Sequence, residues 1–230
     1  MLQLMKLEMK KFKLGWYIKG ALIADLIILA LFISLNYIQQ IEGDIFITNY
    51  EEAFLFIGAM VRGTFIVFAA VLIAQLIIEE YKNKTILIMF SYPVQRKKII
   101  ASKLFIVALL TFITIWISQI LVTGAFFTLH GYFSFIPYSI TITEWMKQTI
   151  TIIPFAVAAA GTSLIPLYFG MRKHSVPITI LSSLLVVSFA CSYNPSFSVI
   201  AIIPVQFALA AVGIMIAYLA IRNIEKEDAI

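Results

Sequence analysis

Apolar residues in this chain come in long unbroken blocks, each closed by a short cluster of charged or turn-forming residues. The blocks lie at about 16–37, 54–78, 99–126, 149–170, 176–192 and 199–221. A helix needs roughly 20 residues to cross a hydrocarbon layer ~30 Å thick, and most of the blocks supply them. The fifth is at the lower edge of spanning length and runs into Cys191-Ser192-Tyr193-Asn194-Pro195-Ser196, a turn-rich break. Blocks five and six therefore form either two spans or a tilted hairpin. Barrel strands would alternate apolar and polar residues, and these blocks do not, so helices are expected. The pattern predicts an all-α integral membrane protein with six transmembrane helices. No internal repeat or low-complexity linker divides it, so 1–230 reads as a single transmembrane domain.

Composition agrees with that pattern. The chain is 62% hydrophobic and 13% charged, with a mean hydropathy of +0.99, far from a soluble domain of 230 residues. The single Cys191 excludes an intrachain disulfide. Residues 1–14 are charged and lack a small-residue cleavage site, so no removable signal peptide is expected. Charge sets the orientation. With both termini cytoplasmic, every Lys and Arg except Lys147 and Arg62 falls inside or at the inner rim, whereas Glu42, Asp44, Glu51, Glu52 and Glu144 fall outside. The net charge of +5 is thus a topology signal, and no nucleic-acid partner is expected.

Two connections add detail. Leu2, Met5, Met9 and Phe12 recur at helical spacing among lysines, while Leu4, Leu7 and Leu14 fall off the stripe. Residues 1–14 therefore fit an interfacial helix on the inner leaflet, the alternative being a solvated basic leader. The outer connection, about 127–148, carries Tyr132, Phe133, Phe135, Tyr138 and Trp145, which suit an interfacial segment.

The most informative polar stretch joins the second and third blocks: Glu79-Glu80-Tyr81-Lys82-Asn83-Lys84-Thr85-Ile86-Leu87-Ile88-Met89-Phe90-Ser91-Tyr92-Pro93-Val94-Gln95-Arg96-Lys97-Lys98. Thr85 can start a short helix, 86–90 give it an apolar face, Pro93 stops it, and Arg96 to Lys98 anchor the next span at the headgroups. The acidic start, threonine, apolar run, Pro93-Val94, Arg96 and downstream Lys103 resemble the cytoplasmic loop of ABC-2-type transporter permeases. Lys84 stands where that family commonly has glycine. The resemblance implies an N-terminal elbow helix and a cytoplasmic coupling helix between spans two and three. It implies coupling to an ATPase through about 81–92, with Glu80, Thr85, Leu87, Met89, Phe90, Pro93 and Arg96 as the contact set. It further implies a second permease chain (homodimer or heterodimer) and a place in the bacterial plasma membrane, within the lipid bilayer. The small unit resembles permeases that export, or give immunity to, antimicrobial peptides and other amphipathic compounds. No Gly-x-x-x-x-Gly-Lys-Ser/Thr loop is present, so no cofactor is expected in this chain; ATP and Mg would be bound by the partner subunit.

Asp25 and Arg62 lie deep in apolar blocks, where a lone charge is costly. At about 1.5 Å per residue, Asp25 is about 13 Å from the inner end of its span and Arg62 about 12 Å from the outer end of the antiparallel one. Those depths predict an intramembrane charge pair. Gln75, Gln119, Thr162, Ser163, Ser182, Ser183 and Gln206 are expected to hydrogen-bond between helices. Pro154, Pro166, Pro177 and Pro204 read as kinks or span starts. His130 and His174 fall in opposite-side connections, so no metal site is expected, and no base accompanies Cys191. Two other classes stay open beside the permease: half of an ion-coupled secondary transporter with Asp25 as the ion-linked carboxylate, or a non-transporting scaffold or sensor.

Overall fold

The computed structural model describes residues 14–42, 50–83, 96–133, 142–192 and 202–227. These form helices and the short turns between them, with no strand among the described residues. Helix α1 is Leu14–Glu42 and α2 is Tyr50–Ile73. A π-helical turn, Ala74–Ile78, carries α2 without a break into α3, Glu79–Lys82. Then come α4 (Arg96–Phe133), α5 (Ile142–Thr151), α6 (Ile153–Thr162), α7 (Pro166–Lys173), α8 (Val176–Ala190) and α9 (Ile203–Glu227).

Five stretches are long and apolar enough to cross a membrane: Gly15–Ile38, Tyr50–Lys82, Lys98–Leu129, Ile142–Lys173 and Ile203–Arg222. The fifth block, expected at the lower edge of spanning length, is the exception. Helix α8 has 15 residues, about 22 Å of axial rise, and ends at Cys191. That falls short of a ~30 Å layer, so the described helices give five full crossings and one short apolar leg. The connection expected at 127–148 is helical on both sides, since α4 runs on to Phe133 and α5 begins at Ile142.

Proline punctuates the second half of the chain. Pro154, Pro166 and Pro177 occupy the first turns of α6, α7 and α8, and Pro204 is the second residue of α9. There the missing N–H has no intrahelical acceptor to lose and φ is already helical. Of the expected kinks or span starts, Pro177 and Pro204 open new helices, while Pro154 and Pro166 divide the single Ile142–Lys173 stretch into α5, α6 and α7. Helix α7 closes at His174, whose φ of 44° and ψ of 41° form a left-handed cap after Arg172 and Lys173.

Helix α2 is the bundle's centre. Phe65, Ile66, Ala69, Ala70, Ile73 and Ala74 are buried, against α8 on one side and α4 on another. Two packed clusters result. One, near Glu80, gathers Leu72, Ile77, Ile100, Leu104 and Leu167; the other gathers Phe32, Ile57, Phe65, Ile115 and Phe126, with Phe68 packed against both. Helices α1 and α9 lie outside and expose Leu22, Leu26, Leu31, Ile214 and Leu219. A lipid tail is as apolar as leucine, so that exposure costs nothing, and helices associate through close packing. The tightest approach joins α6 and α9. A Cβ at Gly161 would lie 2.8 Å from Ala210 Cβ and 3.1 Å from Ala210 Cα, and one at Gly213 would strike the Gly161 carbonyl.

Gly161→Val should therefore push α9 off α6 and destabilise the bundle by about 1–3 kcal/mol, the usual overpacking cost. Gly15→Ala, with open space around its Cβ, is the control. Thermal melting of the two detergent-purified variants checks this. Equal melting temperatures would contradict the proposed contact.

Candidate functional site

A buried ion pair lies where the second crossing leaves the bundle. Lys103 is 1% exposed, in the second turn of α4. Its Nζ donates to the Leu76 carbonyl at 2.9 Å and forms a hydrogen-bonded ion pair with Glu80 Oε2. The π-helical turn makes this fit possible. Within it the Glu79 N–H reaches back five residues to the Ala74 carbonyl, and the Leu76 carbonyl is presented to Lys103. Gly170 lets α7 lie directly on this turn: a Cβ there would strike Thr179 Oγ1 and come within 2.9 Å of Ile78 Cδ1. Tyr81 packs its ring 5.7 Å from that of His174. Two spans, α7 and the base of α8 are thus knotted together around one ammonium group.

Glu80 is one of the residues expected in the coupling set. It is 9% exposed and its carboxylate faces Lys103 inside the bundle. Thr85, Leu87, Met89, Phe90 and Pro93 lie outside the described residues, as does the 1–13 part of the expected elbow helix. Arg96 is the first residue of α4. The Lys103 partnership was missed on sequence because the residue was counted with the inner-rim lysines. A signal was present: a lone lysine within Ile99-Ile100-Ala101-Ser102-Lys103-Leu104-Phe105-Ile106 requires a buried acceptor.

The structure does not join Asp25 to Arg62. Asp25 Oδ2 accepts from Ser118 Oγ at 2.9 Å, tying α1 to α4. About two turns away along α1 and one turn away along α4, the Tyr17–Thr114 hydroxyl contact at 3.3 Å repeats the link. Arg62 Nε donates to the Gly58 carbonyl at 2.9 Å, and its guanidinium carbon sits 4.9 Å from the centre of the Phe155 ring. Depth alone matched the two charges; rotation about the helix axes sent them to different neighbours. Among the expected interhelical polar groups, Gln206 does link helices, through Nε2 to the Ala190 carbonyl at 3.0 Å. Thr162, Ser163, Ser182 and Ser183 instead donate to carbonyls three or four residues back in their own helices. Gln75 is exposed, and the buried Gln119 amide has no partner on either atom.

Beside Arg62 and Gln119 is a cavity of about 830 Å³ between α2 and the α5–α6 arm. It runs from Glu51, Glu144 and Lys147 past Leu55 and Ile152 to Gly58, Arg62 and Phe155.

Repeated apolar crossings and buried charges define a multi-pass helical membrane protein, with a polar-floored cavity beside its central helix. Its sequence matches the model of the family described as ABC-2 family transporter protein over residues 4–188, and the chain belongs to that family. The Bacillus subtilis (strain 168) protein called "Uncharacterized protein YcbO" is 47% identical over 228 residues, covering 99% of this chain and 100% of the relative. No solved structure matches it. Membership makes the chain an ABC permease, the membrane subunit of a transporter and not itself the ATPase; such permeases normally work with an ABC ATPase.

The Glu80–Lys103 contact generates a clear expectation. Lys103→Met alone leaves a buried carboxylate without its cation and should cost about 3–5 kcal/mol, whereas the double change with Glu80→Met should recover most of it. Thermal unfolding of the two variants in detergent measures the difference. Equal destabilisation by both would remove the pair from its structural role.

Proposed function

We propose that this chain is the permease of an ATP-driven exporter in a bacterial plasma membrane, with both termini and the segment 84–95 on the cytoplasmic side. A separate ATPase, which binds ATP and Mg, docks on that segment. Thr85, Leu87, Met89, Phe90, Pro93 and Arg96 form the contact, and the N-terminal 1–14 helix supports it. A second permease chain completes the unit, and the exported compound is an antimicrobial peptide or another amphipathic molecule.

The observation that carries this reading is the Lys103 knot. The segment 84–95 leaves α3 and returns through α4, and one ammonium group fixes both roots. A push on a segment held this way moves two crossings as a body instead of bending a loop. Coupling needs that stiffness, because the work of hydrolysis must reach the membrane without being lost in local motion. Glu80 acts from inside, as the support of the segment, with the apolar residues beyond it meeting the partner.

The test is co-purification of this chain with the products of its neighbouring genes. An ATPase carrying a phosphate loop should come with the native chain, and Leu87→Asp with Met89→Asp should abolish that association while the permease still elutes as an intact membrane protein. Absence of any ATPase with the native chain would overturn the reading.

A further inference from the structure

The floor of the cavity beside α2 is under-satisfied in a specific way. Arg62 is 5% exposed and its Nη1 has no hydrogen-bond acceptor. Gln119, 1% exposed on α4, has no partner for Nε2 or Oε1. Among the described residues no carboxylate lies within ion-pair distance of the guanidinium. A buried guanidinium with one nitrogen unbonded and no counter-ion, and a buried amide without partners, are each costly, and native bundles rarely leave both in one place. Both line the same chamber.

The rest of the chamber says what would satisfy them. Its mouth is at the Glu51 end of α2 and Arg62 lies about 16 Å further along that helix, at about 1.5 Å per residue. The walls between are apolar, with Leu55 on one side and Phe155 on the other. The Phe155 face also packs on the guanidinium, leaving its edge for a planar or tetrahedral anion. The rim is mixed in charge, with Glu51 and Glu144 beside Lys147, so selection for negative charge belongs to the floor. A volume of about 830 Å³ suits a drug-sized body.

We propose that this chamber binds an amphipathic molecule by its anionic head, a carboxylate or phosphate that accepts from Arg62 Nη1 and Gln119 Nε2 while its apolar body lies against Leu55 and Phe155. An anion so placed neutralises the one arginine in the crossing and occupies the unpaired donors together. A neutral or cationic head leaves Arg62 unanswered and binds poorly. What becomes of the ligand rests on the exporter reading; equilibrium binding does not.

The test uses the full-length chain alone, in phosphatidylcholine nanodiscs, with no ATPase present. The probe is a dansyl-labelled long-chain carboxylate, compared with its methyl ester. The acid should bind saturably and the ester at least about tenfold more weakly, the loss of one charge-assisted hydrogen bond. Arg62→Gln should weaken the acid by a similar factor and Arg62→Lys by less. Leu55→Trp, which fills the wall and leaves the floor intact, should abolish binding without changing the melting temperature. That variant keeps the test decisive if Arg62→Gln does not fold. Competition by phosphatidylglycerol would identify a bilayer lipid as the occupant, and its absence a free amphiphile; both retain the site. Equal binding of acid and ester, or acid binding unchanged by Leu55→Trp, would overturn the proposal. A site confirmed here with no ATPase recovered above would remove the exporter reading and leave the binding site standing.

Discussion

A lysine ammonium placed two turns inside an apolar helix has few stable solutions. Water is out of reach, so it must be met by a carboxylate and by further acceptors that use its remaining hydrogens. Lys103 finds both in one piece of backbone, the π-helical turn that presents the Leu76 carbonyl and the Glu80 carboxylate just beyond it. The register of α2 against α4 follows from that contact. So does the place where α7 crosses them, because Gly170 is pressed against the same turn.

Away from this knot the bundle is held by shape. Lipid offers no hydrophobic drive to bring helices together, so small residues and interlocking side chains decide which faces meet. Gly161 and Gly213 bring α6 and α9 into backbone contact, and Phe68 bridges the two packed clusters. The polar groups divide accordingly. Serines and threonines that bond their own helix are silent in the assembly, while Ser118 to Asp25 and Gln206 to Ala190 are true cross-links. Arg62 bonds its own helix through Nε but leaves Nη1 without an acceptor, the Gln119 amide beside Gly58 has no partner, and both residues line the chamber.

The two halves of the molecule thus have different physical characters. At the Glu80 end, among the described residues, the buried charges Glu80 and Lys103 answer each other within the chain. At the other end a charge and an amide are left open around a void, which suits a part that must receive something. Helix α2 joins them: Arg62 and the π-helical turn lie on the same continuous rod.

The helical class was legible in the sequence because the bilayer permits little else. Unbroken apolar blocks can satisfy their backbone only as helices, and the residue order around Pro93-Val94 and Arg96 pointed to the family that the match over 4–188 shows. The prolines marked helix starts for the same local reason, a fixed φ and a missing donor. Pairing was not legible. Asp25 and Arg62 share a depth, yet depth is one coordinate of three, and the rotation of each helix about its axis is set by side-chain packing with partners far away in sequence. The same limit hid Glu80 from view: a carboxylate next to a polar loop looks exposed until packing sets it against Lys103. Length and composition set what could cross the membrane; only tertiary packing decided which charges met and which stayed open, because that choice depends on angles that no local sequence fixes.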